Sequence, residues 1–307
     1  MEVLVRLSGL LVLLLAGTGL RYAGVLDADR TALLNQIAYY GALPALVFVA
    51  TYDQAVADVV SWELFVVVVA TILGTALVAS AVHRNRSPGA RRSVAVVQSY
   101  HSNLGYLGVP LVAATFGAEV TAIASVILGI GALVQVPLTV ILLVSMNGAD
   151  AEGALGRHLR SLAGNPVLLA LVAGMAFGWF EVGVPAAAAT GLDAVGSLAL
   201  PLALLCVGAT LQIDAATVDR GATASVTALK VACMPAVAWA VLALLDVDAA
   251  TFTAGIVMLG TPTAVSTYVF ATELGGDAEF ASLNVFVTTV ASVASLTLLI
   301  ELVSVAV

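Results

Sequence analysis

The sequence predicts an all-α integral membrane protein of ten spans, built as a five-plus-five inverted repeat with spans 4 and 9 broken. Three observations carry this. The 307 residues are 61% hydrophobic and 10% charged, with a mean hydropathy of +1.10, whereas soluble domains carry about 25% charged residues. The apolar runs are of the length of a membrane-spanning helix, about 20 residues. Two of them are interrupted at mid-span by glycine and proline: Gly105, Gly108 and Pro110 in one, Gly260 and Pro262 in the other. The runs do not alternate with period two, which disfavours an outer-membrane barrel.

The ten spans fall at 3–20, 31–50, 59–82, 93–116, 121–145, 165–180, 187–211, 221–245, 250–272 and 281–305. The first carries Arg6 ahead of an apolar run, as a cleaved signal peptide would. A retained helix is the preferred reading, since no clear small-residue cleavage site opens a polar segment. The linkers are short, the longest hydrophilic stretches being 83–92 and 146–161. Basic residues orient membrane helices, because loops left on the inner face keep them. With both termini outside, the inner loops hold Arg21, Arg30, Arg84, Arg86, Arg91, Arg92, Arg157, Arg160 and Arg220. The outer loops then hold Asp53, Asp58, Glu63, Glu119, Glu181, Asp246 and Asp248 and no Arg or Lys.

Two short strings recur in the same order. Ala42-Leu43-Pro44 of span 2 matches Ala199-Leu200-Pro201 of span 7, and Leu107-Gly108-Val109-Pro110 of span 4 matches Leu259-Gly260-Thr261-Pro262 of span 9. Five helices per half is an odd number, so the second half enters the bilayer from the opposite face. The halves are residues 1–150 and 160–307, in one membrane domain.

Broken backbone at membrane depth is tolerated only where protein or a cavity shelters it, and paired breaks in two halves point to a transport site. Proline suits the first turn of a helix. The half-helices are therefore expected to start at Pro110 and Pro262, with Gly108-Val109-Pro110 and Gly260-Thr261-Pro262 crossing at mid-membrane. Free amides at helix starts favour an anion, most simply a carboxylate. Two plain proline kinks are the alternative. The expected binding residues are Asn103, Gly105, Gly108, Val109, Pro110, Gln135, Lys230, Gly260, Thr261, Pro262, Thr263 and Asn284. Asn103 reads two ways, as a ligand contact or as a cap on the broken backbone. Gln135 and Asn284 either face the crossover or join helices. Lys230 lies about ten residues, roughly 15 Å, into span 8. It attracts the anion, lends its charge to crossover carbonyls, or snorkels to the inner face. His101 is a possible proton carrier or a structural residue.

Cys206 and Cys233 sit in apolar spans and read as small buried hydrophobes. No cofactor, metal or nucleic-acid partner is expected. No Ser/His pair, metal motif or carboxylate pair suits an enzyme, and span centres lack Asp and Glu, which disfavours cation exchange. Two alternatives to an organic-anion transporter stand: a sodium-coupled symporter of the bile-acid carrier type, and a membrane sensor that binds a solute without moving it.

The chain resembles the auxin efflux carrier family of bacteria, archaea and plants, which includes the PIN-FORMED auxin carriers. The similarity runs along Asn103 to Pro110 and on to Phe116-Gly117, Asn165-Pro166, Leu200-Pro201 with Gly208, Gln135, and Pro262 followed by Tyr268 to Glu273. It implies an elevator transporter of the cell membrane. Spans 1, 2, 6 and 7 would form a commonly dimeric scaffold, and spans 3–5 and 8–10 a moving transport domain with the substrate at the crossover. The long loop of many plant carriers is missing, so plant-type regulation does not carry over. Microbial relatives are associated with small carboxylates, so auxin itself does not follow.

Overall fold

A computed structural model describes residues 2–86, 89–148, 153–210 and 219–306. Leu211, the expected end of span 7, lies outside the described residues. The architecture among them is helical throughout: α1 Glu2–Tyr22, α2 Ala28–Thr51, α3 Trp62–His83, α4 Gly89–Tyr100, α5 Leu104–Thr115 and α6 Ala118–Asn147. There follow α7 Ala154–Ala163, α8 Pro166–Trp179, α9 Ala186–Ala209, α10 Arg220–Leu245, α11 Ala249–Leu259, α12 Ser266–Glu273 and α13 Ala278–Ala306. Six of these are long and apolar enough to cross a membrane, or seven when α7 and α8, bent by 44°, are taken as one. Helix α7 corrects the expectation of a plain linker over 146–161; its Arg157, His158 and Arg160 lie on a short amphipathic helix beside α8.

Side-chain caps start many of the spans, so the sequence marks these ends locally. Asp27, Ser61, Asn165, Asp219 and Asp248 each accept a hydrogen bond from a backbone amide two or three residues on. Proline shapes the interiors. Leu43-Pro44, Val109-Pro110 and Met234-Pro235 each follow a five-residue π-helical turn, Ala38–Ala42, Leu104–Gly108 and Leu229–Cys233. A proline cannot donate to the carbonyl four residues back, and its ring crowds that carbonyl. Widening the turn before it relieves the crowding.

Burial is inverted relative to a soluble protein. Leu244 is 85% exposed and Leu77 74%, while Gln98, Asn284 and Lys230 are 0% exposed. Large apolar side chains coat the outside, and polar ones are satisfied within, as a hydrocarbon solvent requires.

Two bodies pack side by side. In one, α1 lies against the second part of α9, and the second part of α2 against α8 and the first part of α9. Glycine lets these helices touch backbone to backbone. A side chain at Gly208 would strike the carbonyl of Leu14, and side chains at Gly174 and Gly178, one turn apart, would strike Thr51 and Gln54. The other body gathers α3 to α6 and α10 to α13.

Charged groups meet at one end of the bundle. Arg86 pairs with Asp219 at 3.2 Å and Arg91 with Asp277 at 2.8 Å, and His158 Nε2 lies 3.5 Å from a Glu273 carboxylate oxygen. The backbone amide of Ala222, and then the two arginines, hold the Asp219 carboxyl below its ordinary pKa.

Candidate functional site

Two helix breaks, the ones the sequence placed in its fourth and ninth apolar runs, meet inside the second body. Helix α4 ends at Tyr100 and α5 starts at Leu104; α11 ends at Leu259 and α12 starts at Ser266. Between them two short segments pair as one antiparallel bridge, Ser102 with Thr263. The Asn103 amide donates to the Pro262 carbonyl at 2.9 Å, and the Ala264 amide to the His101 carbonyl at 3.0 Å.

This corrects the expected register. The second half-helices begin at Leu104 and Ser266, not at Pro110 and Pro262. The crossing residues are 101–103 and 262–264. Pro110 instead widens the first turn of α5 and lies past the crossing, while Pro262 lies within it. The matching Gly-x-Pro strings are therefore not structurally equivalent. Short-string similarity could not reveal this, because the register is fixed by pairing across the fold.

Each segment is braced from the second helix after it, α6 for the first and α13 for the other. The Gln135 side-chain amide of α6 pairs with both backbone groups of one residue: its Oε1 accepts from the Ser102 N–H and its Nε2 donates to the Ser102 carbonyl, each at 3.1 Å. On the other segment, the Thr263 amide donates to Thr288 Oγ1 of α13 at 3.3 Å, and Thr263 Oγ1 donates to the Gln98 carbonyl at 2.6 Å. Gln98 Nε2 reaches Thr267 at 3.0 Å and the Ala281 carbonyl at 2.9 Å, and its Oε1 accepts from Asn284 Nδ2 at 2.9 Å. So Asn284 acts through Gln98. The Asn284 Oδ1 is buried without a partner among the described residues. Thr261 Oγ1 bonds the Met258 carbonyl of its own helix end at 2.7 Å.

A cavity of about 250 Å³ opens on one side of the crossing. Its floor is His101 to Tyr106, with Ala264 to Ser266 and Phe270. Its walls come from α2 (Tyr39, Leu43), α6 (Leu128, Ala132, Gln135, Val136), the end of α7 (Ser161, Leu162), Asn165 and α8. It therefore lies between the two bodies. No Lys or Arg lines it.

Of the expected site residues, Asn103, Gly105 and Gln135 line this cavity. Asn103 is 4% exposed, and its side chain does not cap α5. Its side-chain amide, unlike its backbone N–H, makes no hydrogen bond among the described residues, and the residue lines the cavity. The first amides of α5 lack intrahelical acceptors; the ladder begins with Gly108 donating to the Asn103 carbonyl at 2.9 Å. Gly108, Val109, Pro110, Gly260, Thr261, Pro262, Thr263, Asn284 and Lys230 do not line the cavity. Gly108 packs on Met258 of α11. Lys230, wholly buried, lies behind the crossing, its Nζ 2.8 Å from Ser102 Oγ and 3.2 Å from the Leu259 carbonyl.

His101 Nδ1 is 2.8 Å from Thr139 Oγ1, which also meets the Tyr100 hydroxyl at 3.0 Å. The stacked rings of Tyr39 and Tyr106, 6.1 Å apart, join α2 to α5 across the body boundary. Tyr39, Tyr106 and Phe270 are lining residues that sequence reasoning did not select, since aromatic residues in apolar runs carry no signal of which face they occupy, and Asn165 also lines the cavity.

Bilayer-facing apolar helices and a sheltered backbone break beside a cavity define a multi-pass membrane transporter. Residues 3–300 match the membrane transport protein family, and the chain belongs to it; this is the auxin efflux carrier family named from the sequence. The chain is also 25% identical over 292 residues, 94% of each chain, to an uncharacterized transporter of Methanothermobacter thermautotrophicus.

Proposed function

We propose that the protein is an elevator-type secondary transporter of a small organic anion, most simply a carboxylate, in the cell membrane. The observation that carries this is the Asn103 side-chain amide, buried, without a hydrogen-bond partner among the described residues, and beside the cavity and the first amides of α5. A carboxylate accepts from both kinds of donor. The cavity's lack of Lys and Arg means that neutral donors hold the anion.

The ten-span, five-plus-five inverted repeat is supported by the pairing of contacts. Span 1 packs on span 7 as span 6 packs on span 2, which is what exchanging the halves requires. Gln135 of span 5 and Thr288 of span 10 brace the two breaks in corresponding fashion. On this reading α1, α2, α8 and α9 are the scaffold, which dimerises, and the other body carries the site. Both termini are outside. The cavity is then open inward, since Asn165 opens span 6 at its inner end and Ser161 and Leu162 of α7 belong to the inner connection before it.

The test is thermal-shift screening of the purified protein against a panel of mono- and dicarboxylates, followed by counterflow of the best stabiliser in proteoliposomes. Asn103→Ala is expected to keep the wild-type melting temperature without ligand and to lose the carboxylate shift by tenfold or more in concentration. A variant with unchanged shift and counterflow overturns the site. A stabilising ligand that shows no counterflow indicates a sensor instead.

A further inference from the structure

Lys230 is a buried ammonium without a carboxylate partner among the described residues, and the cavity described above does not reach it. The π turn Leu229–Cys233, widened ahead of Pro235, places it on the inner side of α10. Its Nζ has three neutral acceptors: Ser102 Oγ at 2.8 Å, Met234 Sδ at 3.1 Å and the Leu259 carbonyl at 3.2 Å. Leu259 is the last residue of α11. The carbonyls of a helix end lack intrahelical donors and form the negative end of its dipole. At membrane depth no water neutralises them. A cation must, and here the chain supplies one of its own.

We propose that the Lys230 ammonium is a tethered cation that occupies the place of a coupling ion beneath the crossover, so that the protein carries its anion without sodium. The site Nζ fills, a hydroxyl and a helix-end carbonyl converging from two broken spans with the Met234 thioether beside them, offers two oxygens of the kind a small cation takes. With Nζ in it, nothing else enters. Ser102 joins this cation to the substrate side: its hydroxyl accepts from Lys230, its backbone N–H and carbonyl are held by Gln135, and Ser102 and Gln135 both line the cavity. The positive charge therefore lies one residue behind the anion and travels with it. This inference rests on the organic-anion reading for its meaning, but its test does not.

The experiment reads melting temperature of the detergent-purified protein in choline, sodium and propylammonium chlorides at equal ionic strength. Propylammonium replaces the atoms that Lys230→Ala removes. Wild type is expected to melt alike in all three salts. Lys230→Ala is expected to gain several degrees, saturably, in propylammonium. Lys230→Met, which keeps the space filled, is expected to gain nothing. If Lys230→Ala folds only when purified in propylammonium, the proposal stands equally. Saturable stabilisation of the wild type by sodium over choline overturns it. So does a Lys230→Ala protein that ignores propylammonium, or one that stays unfolded in it while Lys230→Met folds. Because no carboxylate enters these measurements, they fail or succeed independently of the Asn103 test.

Discussion

Gln135 does for Ser102 what a neighbouring strand does in a sheet. Its amide presents an acceptor and a donor in the spacing of a peptide group, and the isolated backbone of Ser102 takes both. Replacing it tests how much of the break it sustains. Gln135→Leu leaves a buried amide and a buried carbonyl unsatisfied, each costing about 1–3 kcal/mol. Gln135→Glu keeps the acceptor and loses the donor. Melting temperature is expected to fall in the order wild type, Glu, Leu; equal values for all three would show that Ser102 has other partners. At this scale the sequence was partly legible. A lone glutamine in an apolar helix announces a buried hydrogen bond, and an unbroken Lys230 announces a purpose. Neither says what it touches. Lys230 has its three acceptors on two other spans and on its own next turn, which no local pattern encodes.

Among the elements, helix existence was more legible than helix interruption. Caps such as Asn165 and Asp248 and runs of apolar residues mark where spans start. The short helix α7 was hidden within a polar stretch, because its apolar face is only Leu155, Leu159 and Leu162. The breaks were seen, but their register was not, since Pro110 shapes a π turn instead of starting a helix. Helix contacts were silent for a further reason: glycine is common in membrane spans, and only the fold tells which ones meet a neighbour. Gly208 meets the Leu14 backbone, whereas Gly19 on α1 meets nothing within 4 Å. Gly208→Leu is expected to cost about 1–3 kcal/mol by overpacking and to loosen α1 from α9. Gly19→Ala is expected to be neutral or slightly stabilising. Melting curves of both variants check this, and a Gly208→Leu protein as stable as Gly19→Ala would refute the close approach.

For the whole molecule, charge segregation is the legible feature, and it reappears as contact. Arg86 and Arg91 reach Asp219 and Asp277 across the chain, so three connections assigned to the inner face meet at one end. The proposed topology predicts which reagents reach which loops. With Cys206 and Cys233 replaced, Glu181→Cys is expected to react with a membrane-impermeant maleimide in intact cells. Arg157→Cys is expected to react only after the membrane is opened. Labelling in the reverse order would invert the molecule, and labelling of both in intact cells would remove the span count between them.

The Ser102–Thr263 bridge also has a consequence for assembly. Each half of the chain carries a stretch of backbone whose hydrogen-bonding complement is encoded in the other half. A first half made alone would expose the His101 carbonyl and the Asn103 amide to hydrocarbon, and a second half alone the Pro262 carbonyl and the Ala264 amide. The break in each half is therefore completed only when the other half is in place.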